Sequence, residues 1–248
     1  PVALRPDTAG RFGFDPAELR AAISPKTRLI LLNTPHNPTG SVLSREETEV
    51  VAEVCRANDL IVVSDEVYEH LTYDGTTHIP IATLPGMRER CVAISSAGKS
   101  FSVTGWKIGW VCAPEPLITA INTVKQFLTY THNPAMQHAV AYALGNELPW
   151  VEELRASLAA SRDRLATGLE QVGLRVTRPQ GTYFIQADVR PLGIVDGQDF
   201  ARQLPHRAGV VCIPTAVFCD TQEIGGPFVR RGVDPAQHER HVRFEGGV

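Results

Sequence analysis

Three short, uninterrupted apolar runs constrain this chain more than any other feature. They are Arg28-Leu29-Ile30-Leu31-Leu32-Asn33, Leu60-Ile61-Val62-Val63-Ser64 and Val92-Ala93-Ile94-Ser95. A strand with one wet face alternates apolar and polar side chains, so a continuous run predicts a strand covered on both faces. Between the first two runs lies a helical segment. It opens with the capping box Ser44-Arg45-Glu46-Glu47 and carries Val50, Val51 and Val54 on one face. Strand–helix–strand order with doubly covered strands predicts an α/β fold built on a mostly parallel sheet.

The rest of the chain fits that frame. Asp15 and Pro16 read as the N-cap and first position of a helix. A fourth strand is predicted over Ile108–Cys112, then helices over Leu117–Leu128 and Met136–Leu144. Pro149-Trp150 opens a long helix with Val151, Leu154, Leu158, Leu165, Leu169 and Val172 at helical spacing. Beyond Gly173 the pattern changes to strands at Gly181–Ile185 and Val210–Ile213 around a helix near Gln198–Leu204. A division follows: a large domain over 1–148, then a bridging helix and a smaller α+β domain over 149–248.

Ligands of parallel sheets gather at the C-terminal ends of the strands. Asn37, Asp65 and Lys99 each follow such an end. Lysine is scarce here. Lys26, Lys99, Lys107 and Lys125 are the only four among 24 Lys and Arg residues. A guanidinium holds its proton near neutral pH, whereas an amine gives it up in a suitable environment. Lys99 in the small-residue stretch Ser95-Ser96-Ala97-Gly98-Lys99-Ser100 therefore reads as a wanted amine.

Composition narrows the classes of function. Net charge is −3 and 43% of residues are hydrophobic, which gives a sizeable core and no nucleic-acid footprint. No apolar run reaches the roughly 18–20 residues that span a bilayer. The five cysteines form no CxxC pair, so buried reduced thiols are expected rather than a disulfide or metal framework, as in a cytoplasmic protein. The ends, Pro1-Val2-Ala3-Leu4 and Glu245-Gly246-Gly247-Val248, read as those of a fragment of a longer chain.

Two chemistries use a glycine-flanked lysine after a strand. Gly98-Lys99-Ser100 ends like a phosphate-binding P-loop, but the first glycine of that pattern would fall at Ala93, and the acidic strand at Asp65 precedes the lysine instead of following it. Pyridoxal phosphate chemistry asks for a lysine, a carboxylate for the pyridine nitrogen, and donors for the ring hydroxyl and phosphate. The set formed by Asn33-Thr34-Pro35-His36-Asn37-Pro38-Thr39-Gly40, Ser64-Asp65-Glu66-Val67-Tyr68, and Ser95 through Lys99 with Thr104-Gly105-Trp106-Lys107-Ile108-Gly109-Trp110 resembles class I/II pyridoxal-phosphate aminotransferases of fold type I. The subgroup it resembles contains kynurenine, methionine and N-succinyldiaminopimelate aminotransferases.

That resemblance implies roles. Lys99 is the Schiff-base lysine and proton carrier, Asp65 the partner of the pyridine N–H, and Tyr68 and Asn37 the pair on the ring hydroxyl. Ser96 and Lys107 are phosphate ligands. Arg243, in His241-Val242-Arg243-Phe244, grips the substrate carboxylate; Arg230 and Arg231 are set aside as lying in a less strand-like setting. The implied reaction moves an amino group from an L-amino acid, or an N-succinyldiaminopimelate-like donor, to a 2-oxo acid in ping-pong order. The implied assembly is a homodimer with shared sites, with Tyr130-Thr131-His132 reaching the neighbouring one. No metal, nucleic acid or membrane partner is implied. A cysteine-conjugate or cystathionine-type β-lyase uses the same residues, and a non-catalytic remnant or effector domain remains an alternative of a different class.

Overall fold

The computed structural model describes residues 1–233. Arg243 therefore lies outside the described residues. A hairpin of β1 (Leu4–Pro6) and β2 (Phe12–Phe14) precedes helix α1 (Pro16–Ala22), which Asp15 caps through the Ala17 N–H. Strand β3 (Leu29–Asn33), helix α2 (Arg45–Ala57), strand β4 (Ile61–Asp65) and strand β5 (Cys91–Ser96) follow. Both halves of the Ser44–Glu47 capping box form at the start of α2. A four-residue helix α3 (Ala97–Ser100) leads through a short turn to β6 (Gly109–Cys112). The sheet order is β3-β4-β5-β6, with β3, β4 and β5 parallel and β6 antiparallel to β5.

Helices α4 (Glu115–Leu128), α5 (Pro134–Asn146) and α6 (Leu148–Gln171) come next. Then β7 (Arg175–Thr177), β8 (Phe184–Asp188), α7 (Gly197–Ala208), β9 (Ile213–Pro214), α8 (Gln222–Gly225) and β10 (Phe228–Gly232) build a second sheet in the order β7-β8-β10-β9, all antiparallel. The predicted strand at Val210–Ile213 shrinks to the two residues of β9, and the one predicted from Gly181 begins at Phe184. The residues just before Phe184 instead make a turn that pairs Gly181 with Thr72.

Of four buried clusters among the described residues, two hold the strands that carry the site. Val51, Ala52, Val54 and Cys55 of α2 pack on Leu60, Val62, Ile81, Met87 and Cys91. Tyr68, Leu71 and Tyr73 pack with Leu158, Ala166, Phe184 and Ile185, so the end of β4 is tied to α6 and β8. One expectation fails. β3 is not covered on both faces: Ile30 and Leu32 pack against the first core, but Leu29 and Leu31 are 51% and 73% exposed. β3 is a sheet edge, and α2 packs on the face that carries Ile30 and Leu32. Cys55 and Cys91 are buried as expected, whereas Cys112 is exposed. Among the described residues no helix is long and apolar enough to cross a membrane.

Candidate active site

The loop after β3 carries Asn37. Asn33, the last residue of β3, donates from Nδ2 to the Asp65 carbonyl at 3.0 Å and accepts the Asn37 N–H on Oδ1 at 2.8 Å. The ends of β3 and β4 are thereby locked to Asn37. Gly40 turns the loop with φ +72°, and its carbonyl accepts the Gly181 N–H at 2.9 Å. A side chain at Gly40 would put Cβ 2.3 Å from the Pro179 Cβ, so only glycine lets the two loops approach this closely. His36, one residue before Asn37, places Nδ1 2.8 Å from the Thr39 hydroxyl, and burial lowers its imidazole to about 4.

Asp65 ends β4, and its Oδ1 accepts the Val67 N–H at 3.3 Å. That turn delivers Tyr68, which is 2% exposed. Its ring meets the edges of Tyr183 and Phe184 at 5.5 and 5.9 Å between centroids. Burial pushes the Tyr68 phenol well above its ordinary range, Tyr183 adds to the rise, and the charge of Arg230 opposes it. Tyr68 is thus a neutral phenol across the physiological range.

β5 ends at Ser96, whose Oγ accepts the Gly98 N–H at 3.1 Å and so caps α3. Lys99 projects from α3. Its Nζ donates to the Tyr183 hydroxyl at 3.1 Å and lies 5.8 Å from the Tyr68 ring centroid and 5.7 Å from that of Tyr183. Lys107 follows a short 3-10 turn in the left-handed region at φ 57°, and the Ala97 N–H donates to the Ile108 carbonyl at 3.1 Å. The start of α3 and the Lys107 segment are therefore adjacent, as the Ser96–Gly109 pairing of β5 with β6 requires. The Lys107 side chain itself is exposed.

The second sheet supplies what the sequence reading passed over. Arg230 is not in a weakly strand-like setting; it is the central residue of β10, 9% exposed. Its Nη1 donates to Oδ1 of Asn37, and its guanidinium lies 4.0 Å from the Phe184 ring centroid and 5.0 Å from that of Phe218. Burial pulls Arg230 below its ordinary value while Tyr68 and Tyr183 hold it up, and a guanidinium so placed keeps its charge. Arg231, its neighbour, turns outward and donates to the Val211 carbonyl. Phe228-Val229 before Arg230 was the available sequence signal, too short to read as a strand alone. For Tyr183 the family resemblance offers a place in the substrate pocket, but nothing in the sequence pairs it with Lys99.

Lys99 thus bonds to Tyr183, Tyr183 packs on Tyr68 and Arg230 bonds to Asn37, linking the loops of the first sheet to the second, with Asp65 and Ser96 at the ends of β4 and β5. Tyr130 and His132 lie elsewhere; both are exposed, and Nδ1 of His132 accepts only the Asn133 N–H.

The chain is thus an α/β protein whose parallel strand ends carry an amine, a carboxylate, a phenol and a carboxamide, with an arginine from a second sheet bonded to the carboxamide. Residues 1–228 match the profile of aminotransferase class I and II, and the chain belongs to that family. The probable N-succinyldiaminopimelate aminotransferase DapC of Mycobacterium tuberculosis is 50% identical over 219 residues, 88% of this chain and 55% of that protein. Kynurenine–oxoglutarate transaminase 3 of Mus musculus is 42% identical over 87% of this chain and 51% of its own length. The solved N-succinyldiaminopimelate aminotransferase from Mycobacterium tuberculosis superimposes with a TM-score of 0.90 at 47% identity, over 93% of this chain and 60% of that one. The fold is fold type I. The chain spans about half the length of the curated relatives it matches.

Proposed function

We propose that this chain carries most of the site of a pyridoxal-phosphate-dependent aminotransferase that moves an amino group from an L-amino acid to a 2-oxo acid. The observation that carries the reading is one amine, Lys99, and one buried forked cation, Arg230, meeting across the two sheets beside Asn37 and Tyr68. The donor set fits the cofactor by its chemistry: a primary amine for the aldehyde, the Asp65 carboxylate for the pyridinium, Tyr68 and Asn37 for the ring hydroxyl, Ser96 and Lys107 for the phosphate. When bound, pyridoxal phosphate supplies an electron-withdrawing ring that acidifies the Cα–H of an attached amino acid.

The chain's own residues divide the remaining work. Asp65 keeps a positive charge on the ring nitrogen by offering a carboxylate at a fixed strand end. Tyr68, held neutral by burial, donates a hydrogen bond without adding charge. Lys99 takes the Cα proton at Nζ and gives it back, acting as base and then acid. Arg230 receives the substrate α-carboxylate on its planar fork, the part that the sequence assigned to Arg243. Its bond to Asn37 and its seat on Phe184 and Phe218 fix the fork before substrate arrives.

Residues 1–148 form the cofactor-binding part in this reading, and residues from 149 onward the bridging helix and smaller domain. A homodimer is part of the proposal. In its support, α4 buries no side chain, and Phe127, Leu128 and Tyr130 near its end are 83%, 76% and 78% exposed. An N-succinylated diamino acid is the favoured donor class because the relatives of highest identity reported above carry that name.

The test is to load the protein with pyridoxal phosphate and screen amino donors with 2-oxoglutarate. The expected product is the keto acid of the donor's own skeleton, formed only with the acceptor present. Pyruvate and ammonia released without an acceptor would replace this reading with a β-lyase.

A further inference from the structure

Resting on the aminotransferase reading, we propose that Tyr183 is a positioning residue for the Lys99 amine: its hydroxyl holds the ammonium form in place and raises its proton affinity. The Nζ–hydroxyl distance is 3.1 Å, and the amine sits 5.7 Å from the Tyr183 ring and 5.8 Å from the Tyr68 ring. A phenol oxygen accepts from an ammonium more strongly than from a neutral amine, and cation–π attraction within about 6 Å acts in the same direction.

The backbone around Tyr183 is arranged to aim it. Thr182, fully buried, has φ +68°, a region that a β-branched residue rarely enters. Three hydrogen bonds hold it there. Its N–H donates to the Leu71 carbonyl at 2.9 Å, its carbonyl accepts the Tyr73 hydroxyl, and its Oγ1 accepts the Phe184 N–H at 3.3 Å. The Tyr183 carbonyl in turn accepts the Val233 N–H at 2.7 Å. Strained backbone kept by so many partners clusters at functional sites. Here its effect is to send the Tyr183 hydroxyl back across 84 positions of sequence to Lys99.

Neighbouring elements bring further titratable and charged groups to this part of the site. Tyr68 and Asp65 come from the end of β4, and Arg230 comes from β10 and acts on both phenols. Tyr68 is neutral. Tyr183 is the group in direct contact with Nζ. Because it stands at the start of β8 while Lys99 stands after β5, the contact also makes the proton affinity of the amine depend on how the two sheets meet.

Competitive acylation of the cofactor-free protein tests this, read by mass spectrometry as the pH midpoint of labelling at each lysine. With four lysines in the chain, Lys26 and Lys125 serve as internal references. Tyr183→Phe deletes one oxygen, and the Lys99 proton affinity is expected to fall about tenfold, the effect of one charge-assisted hydrogen bond. The references should not move. Tyr183→Met, which removes ring and hydroxyl together, should lower the midpoint at least as far. Cys55 and Cys91, whose thiols burial raises to about 11 and about 12, report an intact fold by staying unreactive. An unchanged Lys99 midpoint in whichever variant keeps those thiols protected overturns the proposal. No cofactor enters the assay, so a shifted midpoint in a protein that transaminates nothing would sink the enzymatic reading and leave this contact standing.

Discussion

Replacing Arg230 separates two arginines: Arg243, which the family resemblance puts on the substrate carboxylate, and Arg230, which the described site offers for it. A bidentate grip on a carboxylate is two charge-assisted hydrogen bonds, each contributing about 1.5–3 kcal/mol when buried. Arg230→Lys keeps the charge and one bond but loses the fork, so kcat/KM for amino donors and 2-oxo acids should fall about 10- to 150-fold. Arg230→Ala removes both bonds, empties the space above Phe184 and Phe218, and leaves Asn37 Oδ1 without its donor. The loss is then about 3–5 kcal/mol, or roughly two to four orders of magnitude. Steady-state kinetics on the cofactor-loaded protein is the assay. Arg231→Lys is the internal control, since that side chain faces outward onto the Val211 carbonyl, and it should change kcat/KM less than twofold. Arg243→Lys should do as little. If Arg230→Lys stayed within twofold of wild type while Arg243→Lys lost a hundredfold, the assignment of the carboxylate clamp to β10 would be refuted.

Two further outcomes follow from the loop that carries Asn37. Burial holds the His36 imidazole at about 4, below its ordinary 6.5, so the unfolded chain binds the extra proton between those values. Stability is full above pH 6.5 and drains as pH falls toward 4, by about 2–3 kcal/mol. Urea unfolding at pH 7 and pH 4.5 should show that loss in wild type and a smaller one in His36→Gln; equal losses would contradict it. Gly40→Ala brings a Cβ within 2.3 Å of Pro179 in a backbone at φ +72°, and should cost about 2–4 kcal/mol in the same assay. A change under 0.5 kcal/mol would mean the two loops are not packed as described.

Much of the site was legible because its signals are local. Asn37, Asp65 and Lys99 each follow an apolar run and a change to polar or small residues, and those runs became β3, β4 and β5. The contacts of Tyr183 and Arg230 were not legible for a common reason. Their partners, Lys99 and Asn37, are 84 and 193 positions away, and nothing in the flanking residues encodes that meeting. An aromatic in Gly181-Thr182-Tyr183-Phe184 reads as core, and Phe184 beside it is core. β3 misled in the opposite way. Its continuous apolar run states what the strand can bury, not what is present to cover it, and Leu31 is left 73% exposed. The shortening of Val210–Ile213 to β9 reflects the same gap between β propensity and available pairing partners.

The central claim is that Lys99, among four lysines, is the amine that takes the cofactor aldehyde. The direct measurement is to load the protein with pyridoxal phosphate, reduce with borohydride, digest, and locate the pyridoxyl group by mass spectrometry. The account predicts one label per chain, on the peptide containing Lys99, and none in Lys99→Ala. A label on Lys107, Lys26 or Lys125, or cofactor bound with Lys99 unmodified, would contradict it.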